Sequence, residues 1–349
     1  MVLQARIEKL ASNGLYRDRS NVIYIGITRS GEREYHSFGD FQSIPKDHAV
    51  FEIGSITKVF TGLLLTELAE RGIVNFDDPI EKYKPEYKNA VNLAGKPMTL
   101  RHLATHTAGL PREDKALRKK LLDKKNPYKH YLNEDLDAFF RSYKLKKAEQ
   151  WGYSNLGVSL LGRILEDVTG KPLEEAIEER ICKPLGLADT VMSLSDEQAE
   201  RRIVARTKKK EPIPLMELYG ILGAGGLLST MDNMIRFVEL NLGIIDSPLK
   251  DILQASHQKQ ANGPKKNFEM GTNWFIEHNK HIKYPIIWTG GTTVGFHSYA
   301  GFIKELGLGV TVLSSYHLRI HDLLLVLAGK GPVVTDRIAA EVFKDAAGK

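Results

Sequence analysis

Strand patterning at both ends of the chain, with helical patterning between, constrains this sequence more than any other feature. Near the start, Ile23, Ile25 and Ile27 alternate with Val22, Tyr24 and Gly26 as far as a turn at Ser30-Gly31, and Glu34 to Phe38 returns, which predicts a hairpin. Near the end, Ile282 to Trp288, Phe296 to Ile303 and Leu308 to Leu313 are rich in β-branched and aromatic residues, with Glu305-Leu306-Gly307 as a turn between the last two. From about Asp77 to Leu242 the patterns are mostly helical and are separated by Pro and Gly loops. Helices are also expected over residues 2–13, closed by Asn13-Gly14, over Ser55 to Gly72, and over Thr335 to Ala347. Strands so distant in sequence share a sheet only when the stretch between them is an insertion. The expected fold class is therefore α/β (α+β): an antiparallel sheet from both chain ends, residues 1–76 and 243–349, flanked by helices, with an inserted mainly helical domain over 77–242. A site is expected in the crevice between the two parts.

Composition narrows the class. The chain has 349 residues, 42% of them hydrophobic and 26% charged, enough to bury a sizeable core. Its longest apolar runs, such as Leu323 to Ala328, fall far short of the roughly 20 residues of a membrane span, so no transmembrane segment is expected. The opening ten residues carry Arg6, Glu8 and Lys9 and do not read as a signal peptide. Localisation stays open: periplasmic or extracellular if a signal peptide was removed, otherwise cytoplasmic. A single cysteine, Cys182, allows no internal disulfide, and its apolar surroundings predict core packing. Between Arg112 and Lys147, 12 Lys and Arg stand against 6 Asp and Glu, which is the whole formal charge of +6. The segment reads first as a solvated helical face, and no aromatic-interleaved pattern points to nucleic acid.

Three short stretches carry candidate chemistry. In Gly54-Ser55-Ile56-Thr57-Lys58, Ser and Lys stand three apart at the mouth of an apolar helix, which places the Lys58 amine within reach of the Ser55 hydroxyl. A serine hydroxyl needs a neighbouring base, a helix N-terminus favours the developing alkoxide, and the Ser55 N–H can face an oxyanion. The same spacing also describes a plain N-cap. Tyr153-Ser154-Asn155 precedes a helix starting near Leu156; a phenol between an ammonium and a serine can act as general base and then acid, and Asn155 can bond a substrate amide. A packed tyrosine with a capping asparagine is the plainer reading. In Trp288-Thr289-Gly290-Gly291-Thr292 the glycines beside a strand would let a ligand backbone approach, with the Gly291 N–H as second oxyanion donor, although turn glycines alone also explain them.

Taken together, these stretches resemble the serine β-lactamase and penicillin-binding-protein superfamily, specifically its class C branch with the related D-Ala peptidases and esterases. Phe51 to Lys58 resembles the nucleophile motif, Tyr153-Ser154-Asn155 the Y-x-N motif, and Thr289-Gly290 the T-G of the third motif. Leu103 to Pro111 resembles the family's L-x-T-H-T-x-G-L segment and Ala224 to Thr230 its A-G-G-x-x-S-T segment, so the likeness spans nearly the whole chain. It implies a β-lactamase/transpeptidase-like fold and a serine hydrolase acting through an acyl-enzyme. Ser55, Lys58 and Tyr153 would be catalytic; Asn155, Trp288, Thr289, Gly290 and Gly291 would bind substrate. No metal and no organic cofactor is implied. His106 would shape the cleft, and Glu113 would line its entrance.

One departure bears on the substrate. The third motif of the family begins with Lys or His, which holds the substrate carboxylate, and here Trp288 stands in that place. Losing one charge-assisted hydrogen bond weakens recognition roughly tenfold to hundredfold. The basic 112–147 segment would compensate by folding over the cleft. β-Lactam hydrolysis is the leading expectation, followed by D-alanyl-D-alanine carboxypeptidase and carboxylesterase activity, with a penicillin-binding sensor as the non-enzymatic alternative. The expected partner is thus a small-molecule or peptide substrate: a β-lactam, a D-Ala peptide or an ester. No G-x-S-x-G elbow, H-E-x-x-H or P-loop offers another chemistry.

Overall fold

The structure, a computed structural model, describes residues 3–15, 21–41, 43–93, 95–120, 123–146, 149–207, 209–315 and 333–347. The apolar run Leu323 to Ala328 lies outside the described residues, as do parts of the basic segment.

Among the described residues the main sheet has eight strands, and it does draw on both ends of the chain. Its members are β1 (Val22–Arg29), β2 (Glu32–Gly39), β7 (Ala261–Asn262), β8 (Phe268–Met270), β9 (Phe275–Glu277), β10 (Ile286–Thr292), β11 (His297–Ile303) and β12 (Leu308–Ser314). They run in the order β2-β1-β12-β11-β10-β9-β8-β7 with antiparallel neighbours throughout. Two short pairs stand apart: β3 (Phe51–Glu52) with β6 (Leu228–Ser229), and β4 (Asn92–Leu93) with β5 (Lys96–Pro97). The β1–β2 hairpin turns at Ser30 and Gly31, both at positive φ, the geometry a two-residue hairpin turn requires.

Two layers of helices cover the sheet. On one face, α1 (Leu3–Leu15) and the helix Val334–Ala347 bury Ile7, Ala11, Ile338, Val342 and Phe343 against Ile23, Ile25, Ile27, Val310 and Val312. The opposite face meets the helix Met231–Leu242, whose Phe237 and Val238 pack with Val22, Tyr24, Phe302 and Leu313. Period-2 alternation in β1 sorts the two sets, because successive side chains of a strand point to opposite faces. The helix Met231–Leu242 is also tied to the hairpin, since buried Glu239 accepts hydrogen bonds from Thr28 and Arg33. Beyond it lies α2 (Thr57–Glu70), buried nearly all round, with Phe60 stacked on Phe237. The helix Asn155–Thr169 and its neighbours pack outside α2 within the same continuous core, which also takes in Cys182.

Several element bounds differ from the sequence expectation. Helix α1 continues through Asn13-Gly14 to Leu15. Strand β10 begins at Ile286 and runs on through both glycines to Thr292, because pairing with β11 continues to Thr292↔His297; Ile282 to Pro285 lie outside it. The short strands β7, β8 and β9 carry too few residues each to show a periodicity.

Candidate active site

Ser55 sits where three elements converge. Strand β3 delivers the chain, a single 3₁₀ turn, Gly54–Ile56, follows, and α2 starts at Thr57. Ser55 is therefore on the turn just ahead of the α-helix. The Thr57 hydroxyl donates to the Gly54 carbonyl at 2.7 Å and accepts the Leu227 N–H at 3.0 Å, which joins this turn to the 224–230 segment. From the other side, the Ser298 hydroxyl of β11 donates to the Ile53 carbonyl at 2.7 Å. Gly54 has φ +50°, and a Cβ there would lie 2.9 Å from the Thr292 nitrogen. Packing this close fixes the Ser55 backbone against β10.

One turn of helix on, Lys58 is buried with its amine donating to Ser55 Oγ at 3.0 Å and to the Ala224 carbonyl at 2.6 Å. Burial pushes the Lys58 ammonium below its ordinary value, while the nearby Tyr153 phenol opposes that shift. The amine is thus eased toward its neutral, proton-accepting form.

Tyr153 completes the group from the loop ahead of the helix Asn155–Thr169. Its ring centre lies 5.0 Å from Lys58 Nζ and 4.9 Å from the Arg112 guanidinium carbon. Burial by itself raises the phenol, but the Lys58 and Arg112 cations and hydrogen bonding with Ser55 and Lys58 reverse it, so the net shift is downward. The His106 ring packs on the Tyr153 ring with centroids 4.5 Å apart, and its Nδ1 accepts the Ser154 N–H at 3.3 Å. His106 also has φ +60°, and its carbonyl accepts the Gly152 N–H at 2.7 Å. Burial beside Lys58 and Arg112 holds its pKa down at about 3, so the imidazole is neutral. It positions the tyrosine loop without carrying charge.

Asn155 opens the helix behind Tyr153, with Ser154 as N-cap accepting the Gly157 N–H. Its side-chain amide donates to Glu113 Oε1 at 3.2 Å, and the same oxygen accepts a short hydrogen bond from the Tyr128 hydroxyl. Glu113 thereby holds Asn155 at a fixed orientation, leaving the Asn155 amide oxygen clear of that contact.

Along β10 the predicted residues separate by face. Thr289 and Gly291 face the Ser55 turn: a Cβ on Gly291 would lie 1.9 Å from the Ile53 carbonyl oxygen. Trp288 and Gly290 face the other way. The Trp288 ring stacks between Phe275 and Tyr299, its Nε1 donates to Glu277 at 3.2 Å, and it packs in the cluster beneath α1 and Val334–Ala347. A Cβ on Gly290 would approach Asp336 of that helix. The structure brings Ser55, Lys58 and Tyr153 together, sets Asn155 at the helix start beside Tyr153 and Gly291 against the Ser55 turn, and turns Trp288 and Gly290 to the other face of β10. β10 pairs with β9 only through Trp288, so its edge from Thr289 onward is open on that side.

Arg112 and Tyr128 belong to this constellation, and no single-residue signal marked either. Arg112 was legible only as the first charge of the basic segment. Among the described residues, no group of three or more His, Cys, Asp or Glu converges as a metal site would require, and no helix is long and apolar enough to cross a membrane.

Comparison with known proteins agrees in fold. The β-lactamase family model matches residues 7–322. The D-alanyl-D-alanine-carboxypeptidase/endopeptidase AmpH of Escherichia coli (strain K12) is 28% identical over 360 residues, covering 94% of this chain and 90% of AmpH. Among solved structures, a class C β-lactamase from Rhodobacter sphaeroides superposes with a TM-score of 0.77 at 20% identity, covering 93% of this chain and 99% of that one. A β-lactamase/D-alanine carboxypeptidase from Pseudomonas syringae gives 0.76 at 21% identity, with 95% and 99% covered.

Proposed function

Because the chain belongs to the β-lactamase family, we propose that this serine hydrolase opens β-lactam amides through an acyl-enzyme on Ser55. The observation that carries the reading is the buried Lys58 amine 3.0 Å from Ser55 Oγ, with the Tyr153 phenol alongside. Lys58 and Tyr153 share the proton of Ser55 as Oγ attacks the carbonyl carbon. Charge on the carbonyl oxygen is met by the N–H groups of Ser55 and Gly291. As the C–N bond breaks, Tyr153 returns the proton to the departing nitrogen, and water then releases the acyl group. Asn155, oriented by Glu113, bonds the substrate amide, and Thr289 flanks it on β10. The helical layers and the sheet form the two walls of the cleft.

Cleavage of a D-alanyl peptide is the second reading. It is favoured by the AmpH match along 94% of the chain. Both readings share acylation and differ in what is released. The deciding experiment is intact-protein mass spectrometry after brief mixing with a penicillin, beside Ser55→Ala, with nitrocefin hydrolysis and D-Ala release from diacetyl-Lys-D-Ala-D-Ala in parallel. A penicilloyl adduct on the wild type alone with nitrocefin turnover supports a β-lactamase. A long-lived adduct with D-Ala release favours the peptidase, and an adduct without either turnover a sensor. No adduct, with hydrolysis of p-nitrophenyl esters, would replace both with an esterase.

A further inference from the structure

Trp288 stands where the resemblance implies a carboxylate-binding Lys or His and is turned to the far face of β10, so no cation reaches the cleft from that position. Lys58 cannot supply one, being buried and engaged with Ser55 and Ala224. A different cation stands at the site. Arg112 is exposed, its guanidinium carbon is 4.9 Å from the centre of the Tyr153 ring, and its carbonyl accepts the Asn155 N–H at 2.9 Å. Its backbone is therefore fixed to the first residue of a buried helix, while its side chain overhangs the catalytic tyrosine.

The partners of Arg112 are as informative as its position. Arg33, Arg101, Arg180 and Arg201 are each held by a carboxylate within 3.0 Å. In the basic segment, Lys125, Lys129 and Arg141 face Glu211, Glu217 and Glu86. Arg112 has no carboxylate partner among the described residues, and the adjacent Glu113 is committed to Asn155 and Tyr128. A guanidinium presents a planar fork that matches a carboxylate with two parallel hydrogen bonds. Against water such a pair is worth little, but a ligand lying over Tyr153 would exclude water from it.

We propose that Arg112 is a specificity-determining residue that binds a carboxylate of the substrate, in place of the cation absent at Trp288. The inference rests on the acyl-enzyme reading of Ser55, Lys58 and Tyr153. It assigns the substrate class as carboxylated acyl compounds and makes Arg112 the residue that selects them.

The test compares three phenyl esters on wild type, Arg112→Gln and Arg112→Lys: neutral phenyl acetate, monophenyl glutarate with its carboxylate on the acyl side, and 3-acetoxybenzoate with it on the leaving group. The readout is the ratio of kcat/KM for each charged ester to that for the neutral one, which cancels any effect of Arg112 on Tyr153. In Arg112→Gln at least one ratio should fall about tenfold to hundredfold, with part of it kept by Arg112→Lys. The same ratio is read at equilibrium from the dissociation constants of phenylboronic and 3-carboxyphenylboronic acids, so slow ester turnover does not block the test. Unchanged ratios by both readouts overturn the proposal and leave Arg112 a positioning residue for Tyr153. Failure of the acyl-enzyme reading is separate: Ser55→Ala would then hydrolyse the esters as well as the wild type does.

Discussion

Replacing Gly291 with alanine tests whether β10 positions Ser55. A Cβ at this position would lie 1.9 Å from the Ile53 carbonyl oxygen and 2.4 Å from Ser298 Oγ, whereas ordinary contact begins at 3.4 Å. The strand and the Ser55 turn must part by about 1.5 Å, the gap between the first and last of those distances. Ile53 cannot yield alone, because its carbonyl is held by Ser298 and the chain enters the 3₁₀ turn at the next residue. Overpacking of this kind costs about 1–3 kcal/mol, and losing the buried Ser298 bond adds about 1 kcal/mol. A misplacement near 1 Å lowers rates by about 10²-fold. Gly290→Ala is the internal control, since a Cβ there meets nothing closer than 3.4 Å and points to the opposite face. Stopped-flow mass spectrometry of penicillin acylation, with thermal melts of both variants, measures the outcome. Gly291→Ala should acylate about a hundredfold more slowly and melt a few degrees lower, with Gly290→Ala close to wild type. Wild-type acylation by Gly291→Ala, or equal damage from both, would refute the idea that this contact positions Ser55.

Three further expectations can be checked on the same material. Tyr153→Phe keeps the ring that His106 packs against but removes the hydroxyl proposed to carry the proton, so acylation should fall about 10²- to 10⁴-fold with little change in melting temperature. His106 and His257 are both held at about pKa 3 by burial, below the 6.5 of the unfolded chain, so the unfolded state binds more protons between those values and stability is lost as pH falls from 6.5 toward 3. Urea midpoints at pH 7 and pH 4.5 should show the loss, and His257→Phe, which fills the space beside Trp274 and Phe302, should lessen it. Asp336 has the opposite sign: burial raises its carboxyl to about 6, so the folded state binds the extra proton between 3.8 and 6, and stability falls as pH rises through that window. Asp336→Asn should therefore stabilise by on the order of 1–3 kcal/mol at pH 7.5 and by almost nothing at pH 2.5, read from denaturant midpoints.

Local patterning determined a good deal of this protein. The alternation of Ile23, Ile25 and Ile27 set their face of the sheet, Ser30-Gly31 set the hairpin, and the three-residue spacing of Ser55 and Lys58 placed amine beside hydroxyl, because each depends only on residues close together in the chain. Tyr153-Ser154-Asn155 was likewise readable as a loop before a helix start. Tertiary structure decided what depends on contacts between distant segments. The extent of β10 through its glycines comes from pairing with β11, and the strands β7 to β9 exist only as additions to an edge already formed. Whether Trp288 faced the cleft depended on the register of β10, since one step along a strand reverses a side chain, and the structure turns it toward the helix Val334–Ala347. The neutral state of His106, the commitment of Glu113 to Asn155 and the overhang of Arg112 on Tyr153 all arise where the 103–113 segment meets the loop before Asn155. Sequence gives the period of one element; burial and charge at a meeting of two belong to the folded chain alone.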